Sequence, residues 1–454
     1  MTTLLKTHLQ RPVESVQDLV DFLCRGARPE SQWGIGVEME KLVLDASTGE
    51  AAHYTQIEKL LQRLEVNTAW DGIRERGHLI GLKGPSASIT LEPGGQLELS
   101  GELCSDLHCC SRGWERYIRD ILEAGQDLGL IFLGLGVQPF TPLEKIDWLP
   151  KSRYDIMGPY MLRTGDMGQR MMKQSAGVQV NLDFSDEADC LAKMRLAMML
   201  SPLLYALFAN SPVMEDRPTG FLSTRGEIWA RTDADRTGLI DRLFEADAGL
   251  IDYVEYALDV PMYFIYRDGA YQDLTQSRFS FRSYLESGHA GHRATLGDWD
   301  LHLSTLFPEV RLRPQIEVRS ADSLPPRLTL AVGALLKGLL YDAQTRGKAW
   351  DLFKLLSTEA RNELYRQSWR QALTTPFDRG RMQELATTLI AMAKSGLRRQ
   401  QCLNDRGQDE SIFLQELEDI AGTGVTLAER LLANWRGTRT EKLQILVNHC
   451  GFKP

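Results

Sequence analysis

The 454-residue chain has no excess of positive charge: 52 Lys and Arg stand against 61 Asp and Glu, a formal net charge of −9. With no basic, aromatic-rich stripe either, no nucleic-acid partner is expected. Seven cysteines fall at irregular spacings without a Cys-x-x-Cys pair, which gives neither a zinc frame nor a disulfide framework. Long apolar runs are scarce. The greasiest stretch, 196–209, is too short for a bilayer and is interrupted by Ser201-Pro202, so no membrane partner is expected. The first 25 residues carry Glu14, Asp18 and Asp21, which fits neither a secretory nor a transit leader, and a cytosolic protein is expected. A phosphate loop is missing as well: Gly72-x-x-x-x-Gly77 leads into His78 where Lys is required. There is no internal repeat and no low-complexity tract. What remains is a globular composition, 43% hydrophobic and 25% charged, long enough for about three average domains.

Against this background one stretch stands out, Ser88-Ile89-Thr90-Leu91-Glu92-Pro93-Gly94-Gly95-Gln96-Leu97-Glu98-Leu99-Ser100. It reads as two strands joined by a Pro-Gly-Gly turn. The two-residue period of a strand puts Gln96, Glu98 and Ser100 on one face and Leu97 and Leu99 on the other. The same alternation recurs in Gly36–Glu40, in Val178–Phe184 and in Gln315–Arg319. If these strands share one antiparallel sheet whose apolar faces pack on helices, Glu38, Glu40, Glu98 and Glu317 crowd onto the opposite face. Two carboxylates about 4 Å apart repel by about 4 kcal/mol at an effective dielectric near 20. Such a face must take up protons or gather cations, and hard divalent ions with oxygen ligands, Mg²⁺ above all, are the economical answer. Mg²⁺ keeps positions open for phosphate, so an ATP-using sheet is the leading reading.

Elsewhere the pattern predicts helices over 13–26, 54–65 and 105–128, and a core helix over 187–209 broken near Pro202. Gly81-Leu82-Lys83-Gly84 reads as a loop from which Lys83 can reach a phosphate, and Lys151–Asp155 as an irregular polar loop; Met167, Met171 and Met172 read as packing. Arg225, Arg231 and Arg236 lie near carboxylates, as surface salt bridges or as a grip on an acidic substrate. From Trp350 onward the pattern is helical, which suggests a boundary with 1–345 as the sheet-bearing part and 346–454 as a helical cap packed on it.

Over nearly its whole length, from Gly36 to about Gly437, the chain resembles the plant-type glutamate–cysteine ligases. The resemblance rests on Leu91–Ser100, Arg153–Met157, Val178–Ser185, Phe208–Pro212, Ala257–Tyr263 and Phe307–Leu312. It implies an α+β fold: a curved antiparallel sheet of the glutamine-synthetase catalytic type, backed by helices, with a helical C-terminal subdomain. It implies that Glu38, Glu40, Glu98 and Glu317 hold Mg²⁺, with Mn²⁺ as the alternative, and that Gln179 lies close to the metals. Arg319 is implied to hold the γ-phosphate, and Arg225 and Arg236 the glutamate carboxylate or the transferring phosphoryl group; Glu92 supports the turn. The implied reaction uses ATP as co-substrate to turn the γ-carboxylate of glutamate into an acyl phosphate, which the amine of cysteine attacks. A paralogue with another amine acceptor and an inactive relative acting as a binding protein are the alternatives, and a monomer or homodimer is expected.

Several positions depart from the family pattern. Met39 replaces a His, and Arg225-Gly226-Glu227-Ile228-Trp229-Ala230-Arg231-Thr232-Asp233 replaces Arg-Ser-His-Ile-Trp-Thr-Asp-Thr-Asp. Leu274 and Thr329 stand where plant enzymes carry Cys, so redox control through those bridges is not expected. The changes at 224–231 bear on the amine acceptor; if Glu227 faces the site, it disfavours an acceptor carboxylate.

Overall fold

The computed structural model describes residues 9–67 and 69–453. Among these, the strands β1 (Ile35–Asp45), β2 (Asp71–Glu75), β3 (His78–Lys83), β4 (Ser88–Leu91), β5 (Leu97–Ser100), β6 (Leu130–Leu133), β7 (Gly177–Leu182), β8 (Val310–Leu312) and β9 (Ile316–Asp322) form one antiparallel sheet. Its order is β8-β9-β7-β1-β5-β4-β3-β2, with β6 paired to the far end of β1. The class is the expected one: an α+β chain with an antiparallel sheet and helices behind it.

Register sets what each face carries. Glu40 lies opposite Glu98, Glu38 opposite Gln179, Thr90 opposite Glu98 and Glu317 opposite Asn181. Directly opposed residues share a face, so the four glutamates predicted to converge do lie on one side. Val37, Met39, Leu97, Leu99, Val178, Val180 and Val318 fill the other side and are all buried. Met39, where the family has His, is one of these core residues, so its substitution is a matter of packing.

The β4–β5 turn explains its two glycines separately. Gly95 has φ +84°, and a Cβ on Gly94 would lie 2.2 Å from the Lys173 carbonyl oxygen. Gln96 then ties the hairpin down, its amide donating to the Ser175 carbonyl at 2.7 Å.

Behind the sheet, helix Pro326–Leu340 lies close enough that Gly333 faces Val37 and Leu107. It crosses helix Met382–Gln400 with no side chains between: a Cβ on Gly396 would lie 2.0 Å from the Gly338 oxygen. Leu385, Leu389, Ile390 and Leu397 on that helix share one core with the sheet's apolar face. The helix Glu187–Leu207 is long and apolar enough to cross a membrane, but it is enclosed here, and it runs unbroken through Pro202, against the break expected there. The hydroxyl of Ser201 bonds back to the Ala197 carbonyl, and the turn around Pro202 is fully buried, so packing outweighs the missing N–H.

Two further readings are corrected. Gly81–Lys83 is part of β3, not a loop. Lys151–Asp155 is the start of helix Ser152–Thr164, with Lys151 at its N-cap.

Candidate active site

On its polar face the sheet floors a cleft. Glu38, Glu40, Thr90, Glu92, Gln96, Glu98, Gln179 and Arg319 line it from below. Lys151, Arg153 and Tyr154 come from the helix that starts at 152, and Met171 and Met172 from helix Gly168–Gln174. Trp229, Phe307, Arg311 and Arg313 close the far side.

The centre is acidic. Glu40, Glu92 and Glu98 each offer an oxygen, and these oxygens lie within 4.8 Å of one another. Polar neighbours hold each carboxylate in place. Glu98 accepts from Ser100 Oγ at 2.7 Å and Thr90 Oγ1 at 2.9 Å. Glu40 accepts from the Gln179 amide at 2.9 Å and the Gly177 N–H at 2.6 Å, and Glu38 from the Asn181 amide at 2.9 Å. Burial, then repulsion from Glu98, pushes Glu38 up to about 7. Burial, then Glu92 and Glu98, pushes Glu40 up to about 8. Glu92 is also raised, by burial and by Glu98. A buried all-oxygen cluster that cannot ionise fully at neutral pH is the donor set a hard divalent ion fits.

A pH signature follows. A cation held here would have to displace the extra protons on Glu38 and Glu40, so added Mg²⁺ is expected to contribute little stability at pH 6 and progressively more up to pH 8.5. The sign is that of raised carboxyls: below about 7 the protonated forms already relieve the repulsion, and above about 8 only the cation does. Carboxyls at their ordinary value would be ionised throughout and give a flat increment. Melting temperature with Mg²⁺ minus that with EDTA, read across this range, makes the test; a flat profile would overturn the reading.

Glu317 is placed differently from the other three. Burial opposes its ionisation, but Arg311 and Arg319 outweigh this and hold its carboxyl at about 2. Arg311 Nη2 sits 2.8 Å from both Glu317 oxygens, and Arg319 also donates to Glu317 and to Gln179 Oε1. Arg319 stands at a register shift in β9, where the ladder is interrupted between Val318 and Ala321. Such a bulge re-aims a side chain, here into the cleft.

Three cationic assignments from the sequence do not reach the cleft. Lys83 is exposed at the end of β3 and is not among the lining residues. Arg236 is fully buried in the core against Tyr263, donating to Asp233 and to the Pro261 and Thr305 carbonyls. Arg225 lies beneath Arg319 and donates to its carbonyl at 2.9 Å, so it positions the bulge and does not line the cleft. Proximity to carboxylates in sequence marked these arginines but could not say which side of the sheet they occupy.

Besides Arg319, the cations in the cleft lining are Lys151, Arg153, Arg311 and Arg313, none of which was given a site role from the sequence. Arg153 and Arg311 lie in motifs that carry the family resemblance, and Lys151 and Arg153 in the stretch read as a polar loop. Among the described residues, Arg153 Nε, Arg313 Nε and Trp229 Nε1 are buried donors without a partner. An unmet buried donor costs about 1–3 kcal/mol, so a ligand that accepts from these groups recovers that cost on binding.

Glu227 lies on helix Thr224–Ala230, outside the cleft lining. It accepts from Trp369 Nε1 at 3.1 Å and pairs with Arg231 at 3.4 Å. Its charge is spent on these neighbours.

The family model of glutamate-cysteine ligase family 2 matches residues 34–449. Glutamate–cysteine ligase B, chloroplastic, of Oryza sativa subsp. japonica is 41% identical over 92% of this chain and 83% of its own length. The chloroplastic glutamate–cysteine ligase of Medicago truncatula is 40% identical over 93% and 82%. The crystal structure of a Francisella tularensis glutamate–cysteine ligase in complex with AMP superposes with a TM-score of 0.54 at 12% identity, over 92% of this chain and 88% of that one. At that identity the likeness is one of fold. The plant names contradict the cytosolic expectation: acidity at Glu14, Asp18 and Asp21 decides nothing about compartment. By the span of the match and its level of identity, the chain belongs to glutamate-cysteine ligase family 2.

Proposed function

We propose that the chain is an ATP-dependent ligase that joins the γ-carboxylate of glutamate to the amine of cysteine, through an acyl phosphate. The observation that carries this reading is the convergence of the Glu40, Glu92 and Glu98 oxygens in a cleft that Lys151, Arg153, Arg311, Arg313 and Arg319 also line. Glu38, Glu40, Glu92 and Glu98 would hold Mg²⁺ or Mn²⁺, which when bound screens the phosphate oxygens of ATP as a Lewis acid.

The remaining steps belong to the chain's own residues. A carboxylate is a poor electrophile, so the γ-carboxylate first takes the γ-phosphoryl group and ADP leaves; the amine then adds to the acyl carbon and phosphate departs. Arg319 would grip the phosphoryl oxygens with its planar fork. In doing so it would leave Glu317 paired with Arg311 alone. Arg153, Arg313 and the Trp229 indole would bind the carboxylates of the amino-acid substrates with donors that now lack partners. Lys151, whose ammonium is disfavoured by burial but steadied by Glu92, would complete the wall.

The direct test is ATP consumption with glutamate and a panel of amines, with product mass measured. Phosphate release with γ-glutamylcysteine formed supports the reading, and ATP hydrolysis with no amide, or none at all, sinks it. The contacts of Glu227 favour cysteine as acceptor over an amine without a carboxylate. Glu227→His is accordingly expected to leave kcat/KM for cysteine within about two-fold, as for a change at a site off the reaction path. A ten-fold shift toward or away from amines without an α-carboxylate would restore the altered-acceptor alternative.

A further inference from the structure

On the other side of the sheet, a second group of metal-binding side chains has assembled. Glu102, Cys104 and Cys109 offer ligand atoms within 4.8 Å of one another, and the Cys110 thiol lies against that of Cys104. They come from the segment after β5 and from the first turn of helix Leu107–Gln126. The seven cysteines of the chain are free thiols, and three of them meet here.

We propose that Glu102, Cys104 and Cys109 form a site for a thiophilic divalent cation of the Zn²⁺ class. Zn–S bonds of about 2.3 Å put tetrahedral sulfurs roughly 3.7 Å apart, so these three groups, whose ligand atoms already lie within 4.8 Å of one another, have to contract by only about 1 Å to close on an ion. The carboxylate argues for a metal over a disulfide: a Cys104–Cys109 disulfide would leave Glu102 turned toward two sulfurs that have no proton to give it. Glu102 is instead aimed at the cluster. Cys109 Sγ donates to its Oε1 at 3.9 Å, and Ser86 Oγ fixes its Oε2 at 2.8 Å. Orientation of a ligand by such an outer hydrogen bond is a regular feature of metal sites. An entry path exists too, because Glu102, Cys104 and Cys110 line a cavity of about 320 Å³ open to solvent beside Trp114.

This site is distinct from the cleft. Leu99 and Val37, which line the same cavity, face away from Glu98 and Glu38. Ligand softness keeps the two apart, since thiolates select zinc-like ions and an all-carboxylate set suits Mg²⁺. Its place also suggests what it does. Cys104 bridges Ile35 through paired backbone hydrogen bonds of 2.7 and 2.9 Å, so an ion here would clamp the start of β1 to the first turn of the long helix.

The test titrates the reduced, chelator-treated full-length protein with Co²⁺ as a spectroscopic probe, then with Zn²⁺. One equivalent of Co²⁺ is expected to give thiolate-to-cobalt absorption that Zn²⁺ abolishes and Mg²⁺ does not. Cys402→Ser is expected to keep that absorption, while Cys104→Ser and Glu102→Gln each weaken binding by about ten-fold or more. Zn²⁺ is expected to raise the melting temperature of the parent but not of these variants. If buried Cys104→Ser does not fold, the half-exposed Cys109→Ser and Glu102→Gln decide. Absence of a thiolate band, affinity unchanged in Cys109→Ser and Glu102→Gln, or a Cys104–Cys109 disulfide in place of the bound ion would overturn the proposal.

Discussion

Replacing Glu98 or Glu40 by Gln is expected to lower ligation by at least about 100-fold, while the metal-free Glu98→Gln protein melts at an unchanged or higher temperature and Glu40→Gln gives up one of its two acceptor bonds. The two halves of this result have one cause. Glu40 and Glu98 face each other across β1 and β5, buried and mutually repelling, with Glu92 beside them. In the absence of a cation the folded protein bears this repulsion, and Gln removes a share of it at nearly the same volume. The hydrogen bonds from Ser100 and Thr90 to residue 98 need only one acceptor oxygen, which Gln retains. Catalysis has no such substitute, because the amide carries no charge for the ion. Turnover is to be measured at saturating Mg²⁺, with a melting curve in EDTA alongside. Near-parental turnover in either variant would remove the carboxylates from the chemistry, and a large loss of stability would mean they serve the fold.

Arg319→Lys is expected to cut ATP turnover by about 100-fold, the scale seen when one preorganised donor to a developing charge is lost. Lysine keeps the positive charge and can replace the single Nη1 that reaches both Gln179 and Glu317, but it lacks the planar fork that would grip a phosphoryl group. Glu317 would keep Arg311 as its partner, so the fold is expected to survive. The informative comparison is kcat against KM for ATP. A fall in kcat places Arg319 on the transferring group, a rise in KM alone restricts it to ground-state binding, and no change leaves it a structural ion pair.

The convergence of Glu38, Glu40 and Glu98 was legible because the strand period fixes which face a side chain takes, whatever the order of the strands. Once Val37, Met39, Leu97 and Leu99 are assigned to the core, the glutamates have nowhere else to go. Glu92 was underweighted as a turn residue, although it stands where β4 ends and its carboxylate turns inward to the cluster. Arg225 and Arg236 show the limit of this reasoning: guanidinium groups have long stems and satisfy themselves on backbone carbonyls as readily as on substrates, as Arg236 does on Pro261 and Thr305. The place of Lys151 and Arg153 in the cleft was missed because it depends on how helix Ser152–Thr164 docks over the sheet. The continuity of the 187–207 helix through Pro202 and the pairing of Glu227 with Trp369 are likewise facts of packing, which no local pattern contains.

The order of strands in the sheet has a consequence for how the protein is made. β1 is flanked by β5 and β7, and the strand with Glu317 and Arg319 joins last, at β7. During synthesis the glutamates of β1 and β5 therefore emerge long before Arg311, Arg313 and Arg319, at roughly 5–20 residues per second. The helix Met382–Gln400, whose Gly396 presses on Gly338 behind the sheet, emerges later still. A nascent chain stopped before residue 310 would hold an acidic half-sheet with an open edge at β7, lacking three of its cationic neighbours and exposed to aggregation. Productive folding must therefore wait for the C-terminal third of the chain, and premature termination there would release a species fit for a protease.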